Sequence, residues 1–97
     1  MAEQTDMISQ LEEIIVDRKL KPSKGSYTSQ LFAAGRNKIA QKVGEEAVEV
    51  VVAALGQGRA EQIAEFSDLF YHVLVLMVDL GLSLDDVRVE LEKRHRE

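Results

Sequence analysis

The chain has 97 residues, 45% of them hydrophobic, which suffices for one domain with one core and leaves no room for a second of ordinary size. A formal net charge of −5 argues against nucleic acid as a partner, so an acidic chain that handles phosphates must use a local basic patch or a metal. No cysteine is present, which removes disulfides, thiolate metal sites and thiol nucleophiles and fits a reducing, cytoplasmic setting.

Met1 to Gln10 carries Glu3 and Asp6 and lacks the basic start and apolar stretch of a secretory leader. Between Thr5 and Lys19, Ile8, Leu11, Ile14 and Ile15 recur at helical spacing, which predicts a first amphipathic helix. Its other side holds Glu12, Glu13 and Asp17, with Glu12 and Glu13 expected in solvent, and Pro22 stops it. Lys21 to Gly35 is polar and contains glycine, so it reads as a loop leading into a short helical turn near Gln30 to Ala34. It is the only loop long enough to reach over a site.

A second helix from about Arg36 to Leu55 places Ile39, Val43, Ala47, Val50, Val51 and Ala54 on one face. Gly56-Gln57-Gly58 ends it as a turn, because no strand precedes the glycines and no third one follows as a dinucleotide-binding loop requires. The third helix, about Arg59 to Leu80, is apolar on nearly all sides after Asp68, and Phe66, Phe70 and Met77 read as core. Its apolar stretch Leu69 to Val78 is about half the length that crosses a bilayer, so no membrane partner is expected. Neighbours in so small a bundle do not cover every side of such a helix, and the remaining surface predicts a homodimer. Ser83 and Asp86 start a fourth helix with a narrow stripe of Leu84, Val87 and Leu91. With no β-type alternation anywhere, the expected architecture is all-α, a single four-helix bundle-like domain.

The chemistry concentrates on the second and third helices. Glu45, Glu46 and Glu49 share one arc of the second, together with Lys42 and Ala53, and Glu65 and Asp68 share a face of the third. The short glycine turn forces the two helices antiparallel, so residues equally far from Gln57 meet: Glu49 with Glu65, and Glu46 with Asp68. Two like unit charges 4 Å apart repel by about 4 kcal/mol at an effective dielectric near 20, so a cation must sit among them. All-oxygen donors favour Mg²⁺ or Mn²⁺ over zinc or copper. A metal held this way suits a polyphosphate. Arg36, Lys38 and Lys42, with Lys19, Lys21 and Lys24 near the loop, are the available cations, and Lys42 stands out because it shares the acidic face. His72 lies one turn after Asp68 and is either a hydrogen-bonded histidine of an apolar helix or part of the site, whereas His95 falls in a charged, solvated turn.

Glu45-Glu46-x-x-Glu49 followed by Glu65-x-x-Asp68 resembles the signature of the MazG-like all-alpha nucleotide pyrophosphohydrolases. Ser26-Tyr27-Thr28, Gly35, Lys38-Ile39-x-x-Lys42-Val43-Gly44-Glu45-Glu46 and Asp68-Leu69-x-Tyr71-His72 are similar to the phosphoribosyl-ATP pyrophosphohydrolase family in particular, over about Leu11 to Arg94. The resemblance implies hydrolysis of phosphoribosyl-ATP to phosphoribosyl-AMP and pyrophosphate in histidine biosynthesis. It also implies Mg²⁺ on Glu46, Glu49, Glu65 and Asp68, with Glu45 and Glu49 in catalysis and Glu45 either supporting the metal's ligands or orienting the water as base. Tyr27, Lys38, Lys42 and His72 are then expected at the substrate, with Arg18 beside them. Some relatives fuse this domain to a cyclohydrolase that performs the next step, and the chain is expected to be the stand-alone form. Two other readings stay open: a house-cleaning nucleoside triphosphate pyrophosphohydrolase, and a non-catalytic helical dimerisation module whose acids only face solvent.

Overall fold

A computed structural model describes residues 6–96, and the expected helix start at Thr5 lies outside them. Five helices follow one another: α1 (Met7–Leu20), α2 (Tyr27–Ala34), α3 (Arg36–Gly56), α4 (Arg59–Asp79) and α5 (Leu84–His95). Among the described residues there is no strand, and no single helix is long and apolar enough to cross a membrane.

Asp6 caps α1 by accepting a hydrogen bond from the Ser9 backbone N–H at 2.8 Å. The stretch expected to be a loop is helical earlier than its composition suggests, because Ser26 caps a two-turn α2 that begins at Tyr27. Gly35 ends α2 and begins α3 with φ at +101°, a left-handed backbone that side-chain-bearing residues rarely adopt.

The α3–α4 hairpin is the frame of the molecule and carries most of its tertiary contact. Gln62 secures its turn, donating from Nε2 to the Gln57 carbonyl and to the Ala53 carbonyl, which also accepts the Gln57 backbone N–H that closes α3. The core lies beside this hairpin, where Ile15, Leu31, Ile39, Leu74, Val75 and Val78 are buried together, with Leu11, Phe32 and Met77 packed against them. At the far end, two cations serve the terminal carbonyls of α4: Lys19 donates to Val78 at 3.2 Å and Arg36 to Asp79 at 3.2 Å.

Several expectations need correcting. On α3 the fully buried residue of the C-terminal half is Ala53, from the arc assigned to the acids, while Val51 and Ala54 are exposed. The inner face is therefore rotated toward Glu46: Val48, Val51 and Val52 lie exposed, and apolar spacing alone does not tell a valine that faces outward from one that faces the core. Phe66 and Phe70 are not core: they are 48% and 52% exposed, and with Ile63 they leave one side of α4 bare rather than buried all round. Nor is Glu12 a solvated acid, since its carboxylate accepts the Leu84 backbone N–H at 2.8 Å and so serves the start of α5. That helix also has a Ser83–Asp86 capping box, as expected. It leaves α4 at 104°, buries no residue, and is held to α1 near its first turns, where Arg88 donates to the Ser9 hydroxyl.

Candidate active site

The antiparallel hairpin brings Glu46, Glu65 and Asp68 together, each offering a carboxylate oxygen within 4.8 Å of the others. Glu46 and Glu65 are half-buried and Asp68 is exposed, so the group sits on an open face with its base in the helix interface. Glu49 is exposed beside it, and its charge acts on Glu65. Burial first, then the charges of Glu49, Asp68 and Glu46, holds the Glu65 carboxyl above its ordinary value. These are all-oxygen donors at a spacing that suits a hard divalent cation, and no histidine or thiolate joins them among the described residues.

Lys42 is the cation already at this edge. Its ammonium lies 3.4 Å from Glu45 and 3.7 Å from Glu46, one helical turn along α3. The Tyr27 oxygen, then Glu45 and Glu46, holds Lys42 above its usual lysine range, so it stays charged. Glu45 lies outside the three-carboxylate group. Gln41 donates to it at 2.8 Å, and this bond, followed by Lys42 and the charge of Lys38, lowers its pKa, which keeps it ionised while weakening it as a base.

Two sequence segments far apart in the chain, Tyr27-Thr28 on α2 and Tyr71-His72 on α4, meet beside the acids. The Tyr27 hydroxyl is 3.0 Å from His72 Nε2, and Thr28 and Tyr71 share a hydrogen bond between their hydroxyls. The Tyr27 and Tyr71 rings stack with centroids 6.1 Å apart, and burial raises the Tyr71 hydroxyl above its ordinary value. His72 is buried and engages both ring nitrogens, the second at 2.8 Å from the Asp68 carbonyl, so it has no nitrogen free for a substrate.

The other basic residues divide. Lys38 is exposed on α3, near enough for its charge to act on Glu45. Arg18 pairs with Asp17 at 3.1 Å. Arg36 and Lys19 serve α4 instead, Arg36 through a 2.7 Å ion pair with Asp79 and Lys19 through its bond to Val78. Sequence reasoning missed these two assignments and the Tyr27–His72 and Thr28–Tyr71 pairings. The periodicity of one helix carries no signal for a partner on another.

A family model described as phosphoribosyl-ATP pyrophosphohydrolase matches residues 8–95. A phosphoribosyl-ATP pyrophosphatase of Metallosphaera sedula is 50% identical over 90 residues, which cover 93% of this chain and 97% of the relative. One from Clostridium botulinum is 52% identical over 89 residues, 92% of this chain and 81% of its own. The histidine biosynthesis bifunctional protein HisIE of Thermoanaerobacter pseudethanolicus is 46% identical over 89 residues, of which the match covers 92% here and 41% there. The family match spans the helices that carry the acids, the lysines and the tyrosine–histidine pair, and the chain belongs to the phosphoribosyl-ATP pyrophosphohydrolase family.

Proposed function

We propose that this chain hydrolyses phosphoribosyl-ATP to phosphoribosyl-AMP and pyrophosphate, using Mg²⁺, with Mn²⁺ as a substitute, held by Glu46, Glu49, Glu65 and Asp68. The observation that carries the reading is the convergence of Glu46, Glu65 and Asp68 from two helices within 4.8 Å, with Glu49 alongside. When bound, the cation supplies the charge that offsets the phosphate oxygens and polarises the anhydride.

The chain's own residues do the rest. Lys42, charged and at the rim of the acids, binds phosphate oxygens on one side, and exposed Lys38 extends the same positive edge. Glu45 orients the attacking water, itself held by the Gln41 amide. Water oxygen bonds to phosphorus as the bond between the α and β phosphates breaks, pyrophosphate leaves, and the water's proton passes to a carboxylate. Glu49, beside Glu65 and without the hydrogen bond that weakens Glu45, is the second carboxylate for that proton. Tyr27, half-exposed at the start of α2, faces the bound substrate.

The functional unit in this reading is a homodimer, supported by the bare apolar side of α4 and by Val48, Val52 and Leu55, which are exposed on α3. An apolar groove of about 300 Å³ runs along that side between α1, α4 and α5, lined by Ile8, Phe70, Val73, Met77 and Val87 among others.

The test is pyrophosphate release by the purified protein from phosphoribosyl-ATP with Mg²⁺, compared with dUTP and ordinary triphosphates. Turnover of phosphoribosyl-ATP alone, abolished by a chelator, is the expected result. Equal or greater turnover of the triphosphates supports the house-cleaning reading, and no turnover with any of them supports the non-catalytic one.

A further inference from the structure

His72 is 6% exposed, and its two ring nitrogens face different partners. Nδ1 lies 2.8 Å from the Asp68 carbonyl oxygen, which can only accept, so Nδ1 carries a proton. In the neutral ring Nε2 then has a lone pair and no proton. Its neighbour is the Tyr27 hydroxyl at 3.0 Å, so the phenol donates inward and the only proton it has is committed to His72. The Tyr27 oxygen is left as an acceptor toward everything else near it. The ring is fixed in that pose by stacking on Tyr71 and by edge contact with His72, whose centroid is 5.8 Å away. Lys42, which reaches Glu45 and Glu46, is the cation that Tyr27 acts on electrostatically.

We propose that His72 is a positioning residue: its Nδ1-protonated ring, anchored on the Asp68 carbonyl, orients the Tyr27 hydroxyl so that its oxygen accepts at the rim of the acidic cluster. The proposal rests on reading that cluster as the phosphate-hydrolysing site. It gives His72 an effect on turnover without contact with substrate, and it links the backbone of one acidic residue to the start of α2 through two hydrogen bonds. A histidine that merely fills space needs neither a particular tautomer nor any coupling to Tyr27.

The test combines ring-nitrogen NMR with kinetics. In ¹⁵N-histidine-labelled protein near pH 8.5, above the range of an ordinary histidine, His72 is expected as the Nδ1–H tautomer. Tyr27→Phe should move its Nε2 signal toward that of an unbonded nitrogen. An Nε2–H tautomer, or an Nε2 signal indifferent to Tyr27→Phe, overturns the proposal whatever the enzyme turns over.

In kinetics on phosphoribosyl-ATP, Tyr27→Phe and His72→Asn, which keeps a donor toward Asp68 and loses the acceptor, should each lower kcat/KM about tenfold. Their combination should lower it no further, and His72→Gln, with an amide oxygen near the place of Nε2, should restore most of the loss. Additive losses near a hundredfold in the double variant, or no rescue by glutamine, mean that His72 acts through packing alone. If His72→Asn does not fold, Tyr27→Phe and the NMR measurement still decide. If the wild type has no activity, the reading of the cluster fails separately, while the tautomer measurement judges the geometry.

Discussion

The two sides of α4 differ sharply over the same few turns. One presents Glu65, Asp68 and His72 toward α3 and α2, and about 100 to 160° further round lie Phe66 and Phe70, open to solvent. Each side holds groups that are unfavourable as they stand, like charges in one case and apolar surface in the other. Among the described residues nothing relieves either one fully: Lys42 is the one cation paired there with the acidic group, and α5 leaves the apolar side at 104° rather than covering it. The fold alone therefore explains neither side, and the proposed cation and second copy would each relieve one of them.

The most disruptive way to separate the two sides is on the apolar one. Phe70→Glu removes a buried aromatic from each copy of a dimer, about 1.5 to 3 kcal/mol per side chain, and should raise the dimer Kd by two orders of magnitude or more. Sedimentation velocity at micromolar concentration measures this, and a wild type that runs as a monomer would remove the comparison's second half. On the other side, Glu65→Gln or Asp68→Asn should lower kcat on phosphoribosyl-ATP about a hundredfold or more with the helical content unchanged. Activity within a few-fold of the wild type would mean that these carboxylates only face solvent.

A thermal melt sharpens the same contrast. Mg²⁺ at about a hundred times its Kd should stabilise the wild type by about 2.7 kcal/mol, raising Tm by on the order of 10 °C, and Glu49→Gln should lose most of that shift. Without divalent ions the variant should melt at or above the wild type, because one like charge has gone. The smallest effect is with pH. Because the Glu65 carboxyl is held above 4.5 in the folded protein, the folded state binds that proton more tightly than the unfolded one. The stability this gives is fully present below about 4.5 and is lost as pH rises through the raised value. Urea titrations in chelator should show this component in the wild type and not in Glu65→Gln.

Much of this was legible in the sequence. Counting residues outward from the glycine turn at Gln57 paired Glu46 with Asp68 and Glu49 with Glu65; Glu46, Glu65 and Asp68 do come together, while Glu49 lies outside their group and acts on Glu65 through its charge. Lys42 was found for the same reason, since helical spacing ties it to Glu45 and Glu46. What stayed hidden depends on contacts between distant segments. Glu12 meets Leu84 across 72 positions and Tyr27 meets His72 across 45, and no local pattern records either. Periodicity also mistook Phe66 and Phe70 for core, because an apolar side chain reads the same whether its own chain or another molecule covers it.

Gly35 has a further consequence. Since it closes one helix and opens the next, there is no slack between the phenol at the head of α2 and the carboxylates along α3. One residue inserted at this joint would add slack and let the acids of α3 move away from the phenol. The same insertion between Lys21 and Gly25 would only lengthen a bend. The spacing tolerance of the protein is thus set by a joint one amino acid wide.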